Sequence, residues 1–193
     1  MSSPDTTSVV LVGVGGQGIL LASEITARAA MVVGLDVKTN EVHGMAQRGG
    51  SVIAQIRYGQ KVHSPLVAEG TARVLCSLER IEALRYRQYL APGGLAVVSD
   101  QAIVPVTVSM GMATYPEQAE AELRRVFPRL VYVPAVAKAL ELGNVKVANV
   151  ILLGRLAAAL DLPLEAWHES VRACVKPRFV ELNLAAFELG RGL

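Results

Sequence analysis

Val9 to Val12 form an unbroken, mostly β-branched apolar run, and an apolar helical pattern restarts at Ile19. Between them stand Gly13, Gly15, Gly16 and Gly18. A short apolar run that ends in glycines reads as a strand buried on both faces. The pattern from Ile19 to Val33 reads as a helix, with Ala22, Ser23, Ala27, Ala29 and Ala30 leaving room for close packing, and Gly34 closes it. Leu35 to Val42 alternates less cleanly and is expected to be a second strand. A polar, glycine-flanked loop covers His43 to Gly50, and Ser51 to Tyr58 alternates as a third strand ahead of a Gly59-Gln60 turn.

Further on, Ala72 to Leu78 predicts another buried strand and Glu79 to Leu90 an amphipathic helix, ended by Ala91-Pro92-Gly93-Gly94. Strands are expected at Leu95–Ser99 and Leu130–Val133. Helices are expected at Pro116–Val126, with Pro116 in the first turn, and at Ala135–Leu142, Val145–Leu160, Leu164–Cys174 and Pro177–Leu189. Strands that alternate with helices predict a three-layer α/β/α fold, Rossmann-like, over a largely parallel sheet. Val42 to Val62 breaks the crossover rhythm, so a mixed sheet with an antiparallel pair is expected there. The part after Ala135 is helix-rich. No repeat or linker interrupts the chain, and residues 1–193 read as one domain.

Composition narrows the classes. The chain has 193 residues, is 52% hydrophobic and carries a net charge of +2. Without a strong basic face, nucleic acid is a poor partner. A mean hydropathy of +0.38 points to a buried parallel sheet or to an apolar face covered by another subunit. No secretory signal is evident at Met1–Asp5. The most apolar stretch, Val145 to Leu162, holds Lys146, Asn149, Arg155 and Asp161, so it does not read as a membrane span; the expected location is cytoplasmic. Cys76 and Cys174 are far apart and lack C-x-x-C spacing, so free thiols are expected. Two cysteines and three unclustered histidines supply neither a structural zinc site nor an iron–sulfur cluster, which takes about four thiolates.

The glycine loop carries the first candidate chemistry. Gly13, Gly15 and Gly18 match G-x-G-x-x-G between a strand and a helix, where backbone amides and the helix dipole favour an anion. Tight packing without a ligand is the competing reading. The second candidate is Asn40–Ser51. Loops at the carboxyl ends of strands build the ligand crevice of an open α/β sheet, so this loop is expected beside the first. Arg48 suits a phosphate or carboxylate, because its fork makes paired, charge-assisted hydrogen bonds. Gly49 and Gly50 allow close backbone approach. An Arg48–Glu41 pair within the loop is the structural alternative.

Other polar residues call for less. His43 could donate a proton, but a lone loop histidine more often bonds locally. Glu79 suits the first turn of a helix, complementing its dipole. Asn144 fits an N-cap, and Asn149 a buried hydrogen bond to a neighbouring loop. An independent NAD(P)-binding protein is a second reading of the loops. It wants an acid at the end of the second strand for the ribose, and Glu41 is roughly placed.

The two loops together resemble a known family. Gly13-Val14-Gly15-Gly16-Gln17-Gly18-Ile19 and Glu41-Val42-His43-Gly44-Met45-Ala46-Gln47-Arg48-Gly49-Gly50-Ser51-Val52 are similar to the gamma-type subunit of 2-oxoacid:ferredoxin oxidoreductases. The second loop is most like the indolepyruvate type. Leu142-Gly143-Asn144, Asn149 with Leu152-Leu153-Gly154, and Lys176 to Phe187 with Gly190 extend the resemblance over nearly the whole chain. It implies an accessory subunit, inactive alone. A large partner subunit is then expected to hold thiamine diphosphate, Mg and iron–sulfur clusters, to decarboxylate an aryl 2-oxoacid and to pass electrons to ferredoxin, while coenzyme A takes the acyl group. Carried over to this chain, Gly13, Gly15, Gly16, Gln17, Gly18, Glu41, Gln47, Arg48, Gly49 and Gly50 become the candidates for a phosphate-bearing ligand. That ligand is coenzyme A or the diphosphate of the partner's cofactor.

Overall fold

Strand β1, Thr6–Val14, is the spine of the molecule. The computed structural model describes residues 6–44, 49–112, 114–116 and 118–193. From Val9 to Val12 every side chain is buried: Val9 and Leu11 face one side of the sheet, Val10 and Val12 the other. Period-2 alternation with both faces apolar demands a cover on each side, which is why the run reads as continuous in sequence.

The chain continues through α1 (Ile19–Val32), β2 (Asp36–His43), β3 (Ser51–Gly59), β4 (Ala72–Ser77), α2 (Arg80–Arg85), β5 (Leu90–Ser99), α3 (Val106–Ser109) and α4 (Ala119–Val126). Then come β6 (Leu130–Val133), α5 (Ala135–Glu141), α6 (Ala148–Ala157), α7 (Leu164–Cys174) and α8 (Val180–Arg191). The sheet order is β2-β3-β1-β4-β5-β6. Strands β1, β4, β5 and β6 pair in parallel; β3 runs antiparallel to both β1 and β2. The expected mixed α/β sheet is therefore present, with β3 as its one reversed strand among the described residues. Side chains of α1, α6, α7 and α8 fill the core on one face, and those of α2 and α4 fill it on the other.

Several boundaries move. The helix expected over Glu79–Leu90 stops at Arg85 and gives way to a 3-10 turn at Arg87–Tyr89. Leu90 already pairs with Ala72, so the Pro92-Gly93-Gly94 segment lies inside β5, next to an irregularity in the ladder. The helices expected from Val145 and Pro177 each begin with a 3-10 turn. The α4 helix begins at Ala119 rather than at Pro116, and α3 was not anticipated by any periodicity. No helix among the described residues is long and apolar enough to cross a membrane.

Helices α6 and α8 cross with backbone against backbone. A Cβ placed on Gly154 would meet the Phe187 carbonyl at 2.0 Å, and one placed on Gly190 would meet the Ile151 carbonyl at 1.9 Å. Each helix thus offers a glycine to the other's main chain, three residues from the carbonyl it offers in return. The buried Trp167 and Phe187 rings pack beside this crossing, 5.8 Å apart. Both cysteines are free thiols. Burial pushes the Cys76 thiol up to about 12, so it stays protonated and unreactive.

Candidate functional site

The two loops meet, as the topology requires. β1 ends and β3 begins at the same end of the sheet, so the glycine loop and the loop before Ser51 are neighbours. The Gly15 N–H donates to the Gly50 carbonyl at 2.8 Å, and the Gly49 N–H to the Gly15 carbonyl at 3.5 Å. Gln47 and Arg48 lie outside the described residues.

Within the first loop the glycines do different jobs. Gly16 and Gly18 have φ of +103° and +82°, a region that costs any residue with a Cβ. Gly13 is a close-approach position: a Cβ there would lie 2.7 Å from Gln17 Oε1 and 3.1 Å from Leu78 Cβ. Gln17 is the loop's staple. Its Oε1 accepts from the Val14 N–H at 2.7 Å, and its Nε2 donates to the Leu78 carbonyl at 2.7 Å and to Gln101 Oε1 at 2.8 Å. Both amide donors are spent on the protein, so its part in the site is to shape the loop. Gln17→Ala leaves the Val14 N–H and the Leu78 carbonyl without these partners, an expected cost of about 2 kcal/mol. Thermal melting followed by circular dichroism checks it.

A second brace holds the other loop. The Ser51 hydroxyl donates to the buried Glu82 carboxylate and lies 3.0 Å from the Tyr86 hydroxyl, while Arg85 pairs with Glu82 at 2.9 Å. Beside it, Glu79 is 2% exposed and caps α2. Its Oε2 accepts from the Ile81 and Glu82 N–H groups at 2.7 and 3.0 Å. Its Oε1 accepts from the Ile103 N–H at 3.3 Å and the Tyr115 hydroxyl at 2.6 Å. Burial, then the Glu79 hydrogen bond, push the Tyr115 phenol up to about 12, so it remains a donor. Glu79 therefore stands one place before the first turn expected for it, as the N-cap, and also ties down the segment between β5 and α4.

Cavities open on both sides of the glycine loop. The smaller, about 440 Å³, is mainly apolar and lies between the first turn of α1 and the β2–β3 hairpin, with His43 and Val52 in its wall. The larger, about 680 Å³, is bordered by Gly15–Gly18, Gln101, Lys146 and Asn149 with apolar walls. Among the described residues no acidic side chain lines it. Asn144 caps the 3-10 turn before α6 by accepting from the Lys146 N–H at 3.0 Å, and Asn149 Nδ2 donates to the Gly18 carbonyl at 3.2 Å, both as expected. Lys146 and Gln101 were missed as site residues. The one hint in the sequence was polar residues at the mouth of a very apolar helix.

Glu41 is exposed on β2, pairs in the ladder with Ala54 and borders neither cavity. In a dinucleotide site the second strand neighbours the first; here β3 intervenes, which sets β2 about 10 Å from β1 at two strand spacings. The NAD(P) reading is not favoured by this order. No group of three or more His, Cys, Asp or Glu that could hold a metal occurs among the described residues.

Comparison with known proteins agrees with this geometry. Residues 8–193 match the family described as pyruvate ferredoxin/flavodoxin oxidoreductase. The chain is 44% identical to the indolepyruvate oxidoreductase subunit IorB of Pyrococcus horikoshii, over 95% of this chain and 93% of that one. Among solved structures, a keto/oxoacid ferredoxin oxidoreductase gamma subunit from Geobacter sulfurreducens superposes with a TM-score of 0.72 at 23% identity, over 96% of this chain and 94% of the other. The 2-oxoglutarate:ferredoxin oxidoreductase of Magnetococcus marinus, solved with 2-oxoglutarate, coenzyme A and succinyl-CoA, also gives 0.72 at 19% identity; the match covers 98% of this chain but 31% of that one, so the fold is a portion of a longer chain there. With a family match over almost its entire length and a relative this similar, the chain belongs to the pyruvate ferredoxin/flavodoxin oxidoreductase family.

Proposed function

We propose that this chain is the accessory subunit of a thiamine-diphosphate-dependent 2-oxoacid:ferredoxin oxidoreductase of the indolepyruvate type, and that its glycine loop receives the phosphate-bearing end of coenzyme A. One observation carries the second half. A glycine loop with two positive-φ residues opens the 14-residue helix α1 beside a cavity with no acidic wall among the described residues. Free amides at a helix start bind anions through both hydrogen bonding and the dipole. In this reading Gly16 and Gly18 give the backbone its approach, while Gly13 and Gln17 hold the loop's shape. Gly49 and Gly50 clasp the second loop to it, and Gln47 and Arg48, next to them in sequence, are assigned to the same ligand for their chemistry; Glu41 contributes at the edge of that loop. The chain's two cysteines do not fit a four-thiolate cluster, and thiamine diphosphate, Mg and the clusters belong to the partner subunit.

The test is turnover of an aryl 2-oxoacid with ferredoxin and coenzyme A. The chain with its large partner is expected to be active, and the chain alone inactive; full turnover by the chain alone overturns the accessory role. Arg48→Ala in the complex is expected to raise KM for coenzyme A about tenfold, the size of one charge-assisted hydrogen bond. An unchanged KM removes Arg48 from the site.

A further inference from the structure

We infer that the free edge of β2 and the outer stripe of α1 pair with the same surface of a second copy of this chain, joining two sheets into one across a two-fold axis at Asn40. The inference is independent of the glycine-loop reading. β2 ends the sheet, with β3 on one side and no strand on the other among the described residues. Its eight residues, Asp36–His43, pair with β3 in unbroken register, without a bulge or a proline. Lys38, Thr39, Glu41, Val42 and His43 are exposed. A long, regular edge with free N–H and C=O groups is a template for another strand. Beside it, α1 lies against β2 and β3 and presents Leu20, Glu24, Arg28, Met31 and Val32 to solvent. This is an apolar face of the kind that the mean hydropathy calls for.

Charge complementarity names the occupant. Glu24 and Arg28 stand one helical turn apart, yet neither forms an ion pair among the described residues. Against an antiparallel copy of α1 the stripe complements itself: Leu20 meets Val32, Glu24 meets Arg28, and symmetry makes each contact twice. The centre of that pattern is level with Thr26. The strand has its own centre, because a two-fold between identical antiparallel strands sets one residue opposite itself. An axis on Lys38 or Glu41 sets like charges face to face, which is destabilising, whereas Thr39 and Asn40 both avoid this. The helix decides between them. Leu20 and His43 share the wall of the smaller cavity, and Thr39 shares the wall of another with Glu24 and Arg28, so α1 runs opposite to β2. From His43 back to Asn40 the strand covers about 10 Å, and from Leu20 to Thr26 the helix covers about 9 Å. Asn40 and Thr26 are therefore level, and one axis serves both elements. A helix seated between β2 and β3 lies one strand spacing from that axis. The two copies of α1 then stand about 10 Å apart, an ordinary helix packing distance.

The experiment is analytical ultracentrifugation of the full chain, wild type against Glu24→Arg, Arg28→Glu and the double swap, with melting temperatures to verify folding. Wild type is expected to be a dimer at about 100 μM, where an interface of ordinary size is assembled. Each single reversal sets like charges together at two symmetric places and is expected to weaken dimerisation about tenfold or more, and the double swap to restore it. Asn40→Cys locates the axis. Opposite Cα atoms of an antiparallel pair lie about 4.5–5.5 Å apart, within disulfide reach, so oxidation is expected to link two copies. Lys38→Cys, which faces Val42 of the second copy, is expected not to link, with wild type as the oxidation control. A monomeric wild type overturns the proposal, and so does a dimer indifferent to both reversals. Linking through Lys38→Cys in place of Asn40→Cys overturns the axis. A monomer whose Glu24→Arg variant no longer co-purifies with the large partner subunit overturns the second copy as occupant and gives the face to that subunit.

Discussion

Gly190→Ala is expected to destabilise the chain by about 3 kcal/mol or more, lowering Tm by roughly 6–12 °C at 2–4 °C per kcal/mol for a domain of this size. The added methyl would sit 1.9 Å from the Ile151 carbonyl oxygen and 2.7 Å from its carbon, both main-chain atoms of a buried helix. No rotamer change relieves a clash with backbone, so α8 must lift away from α6. That movement loosens Trp167 and Phe187, the largest fully buried side chains. Alanine gains about 1 kcal/mol over glycine in helix propensity, and the clash outweighs it. Gly154→Ala is the reciprocal change, with its methyl 2.0 Å from the Phe187 carbonyl. Gly192→Ala is the control: its nearest atom would be at 3.6 Å, and its expected effect lies within about 0.5 kcal/mol. Urea melts of the three variants decide the matter; a Gly190→Ala protein as stable as Gly192→Ala refutes the close crossing.

Glu79→Gln is expected to cost about 3 kcal/mol, because half of a buried carboxylate's acceptor capacity becomes a donor facing donors. Four groups converge on this side chain: two amides of α2, the Ile103 N–H and the Tyr115 hydroxyl. On the Oε2 side the NH₂ meets two backbone N–H groups; on the Oε1 side it meets the Ile103 N–H, and the Tyr115 hydroxyl must turn to accept instead of donate. The damage is expected to be local first. Ile103 and Tyr115 lose their anchor, so protease cleavage between Ile103 and Met112 should accelerate before global unfolding does. Tyr115→Phe removes one of the four bonds and is expected to cost about 1 kcal/mol. Equal stability of Glu79→Gln and wild type in a denaturant melt counts against the arrangement.

The sheet strands were legible because their side chains report burial directly: Val9–Val12 and Val74–Cys76 are apolar on both faces and buried on both faces. Helix α7 matched end to end, since Pro163 and the apolar spacing after it mark its start. What failed was set by distant partners. Nothing local in Leu90–Gly94 distinguishes a loop from a strand; the pairing of Leu90 with Ala72 does. The glycine loop was readable as a motif, yet the work of Gln17 depends on Leu78 and Gln101, 61 and 84 residues away. Lys146 was missed for the same reason, because the 3-10 turn before α6 reaches the loop only through tertiary packing. The dinucleotide reading of Glu41 assumed that the second strand in sequence is the second in the sheet, whereas β3 lies between β2 and β1.

The reversed β3 has one further consequence. Because β2 and β3 are consecutive and antiparallel, with His43 opposite Val52, the chain passes between them by a hairpin connection and not by a crossover between parallel strands. A crossover is constrained by the helix it must carry, whereas a hairpin tip is tethered only at its two ends. The tip can therefore exchange residues, or lengthen, without shifting any helix, and closure entropy grows only slowly with its length. The connection between β2 and β3 is thus a replaceable part on a fixed chassis: it can be retuned for a new contact while the glycine loop, its staple and the α6–α8 crossing stay as they are.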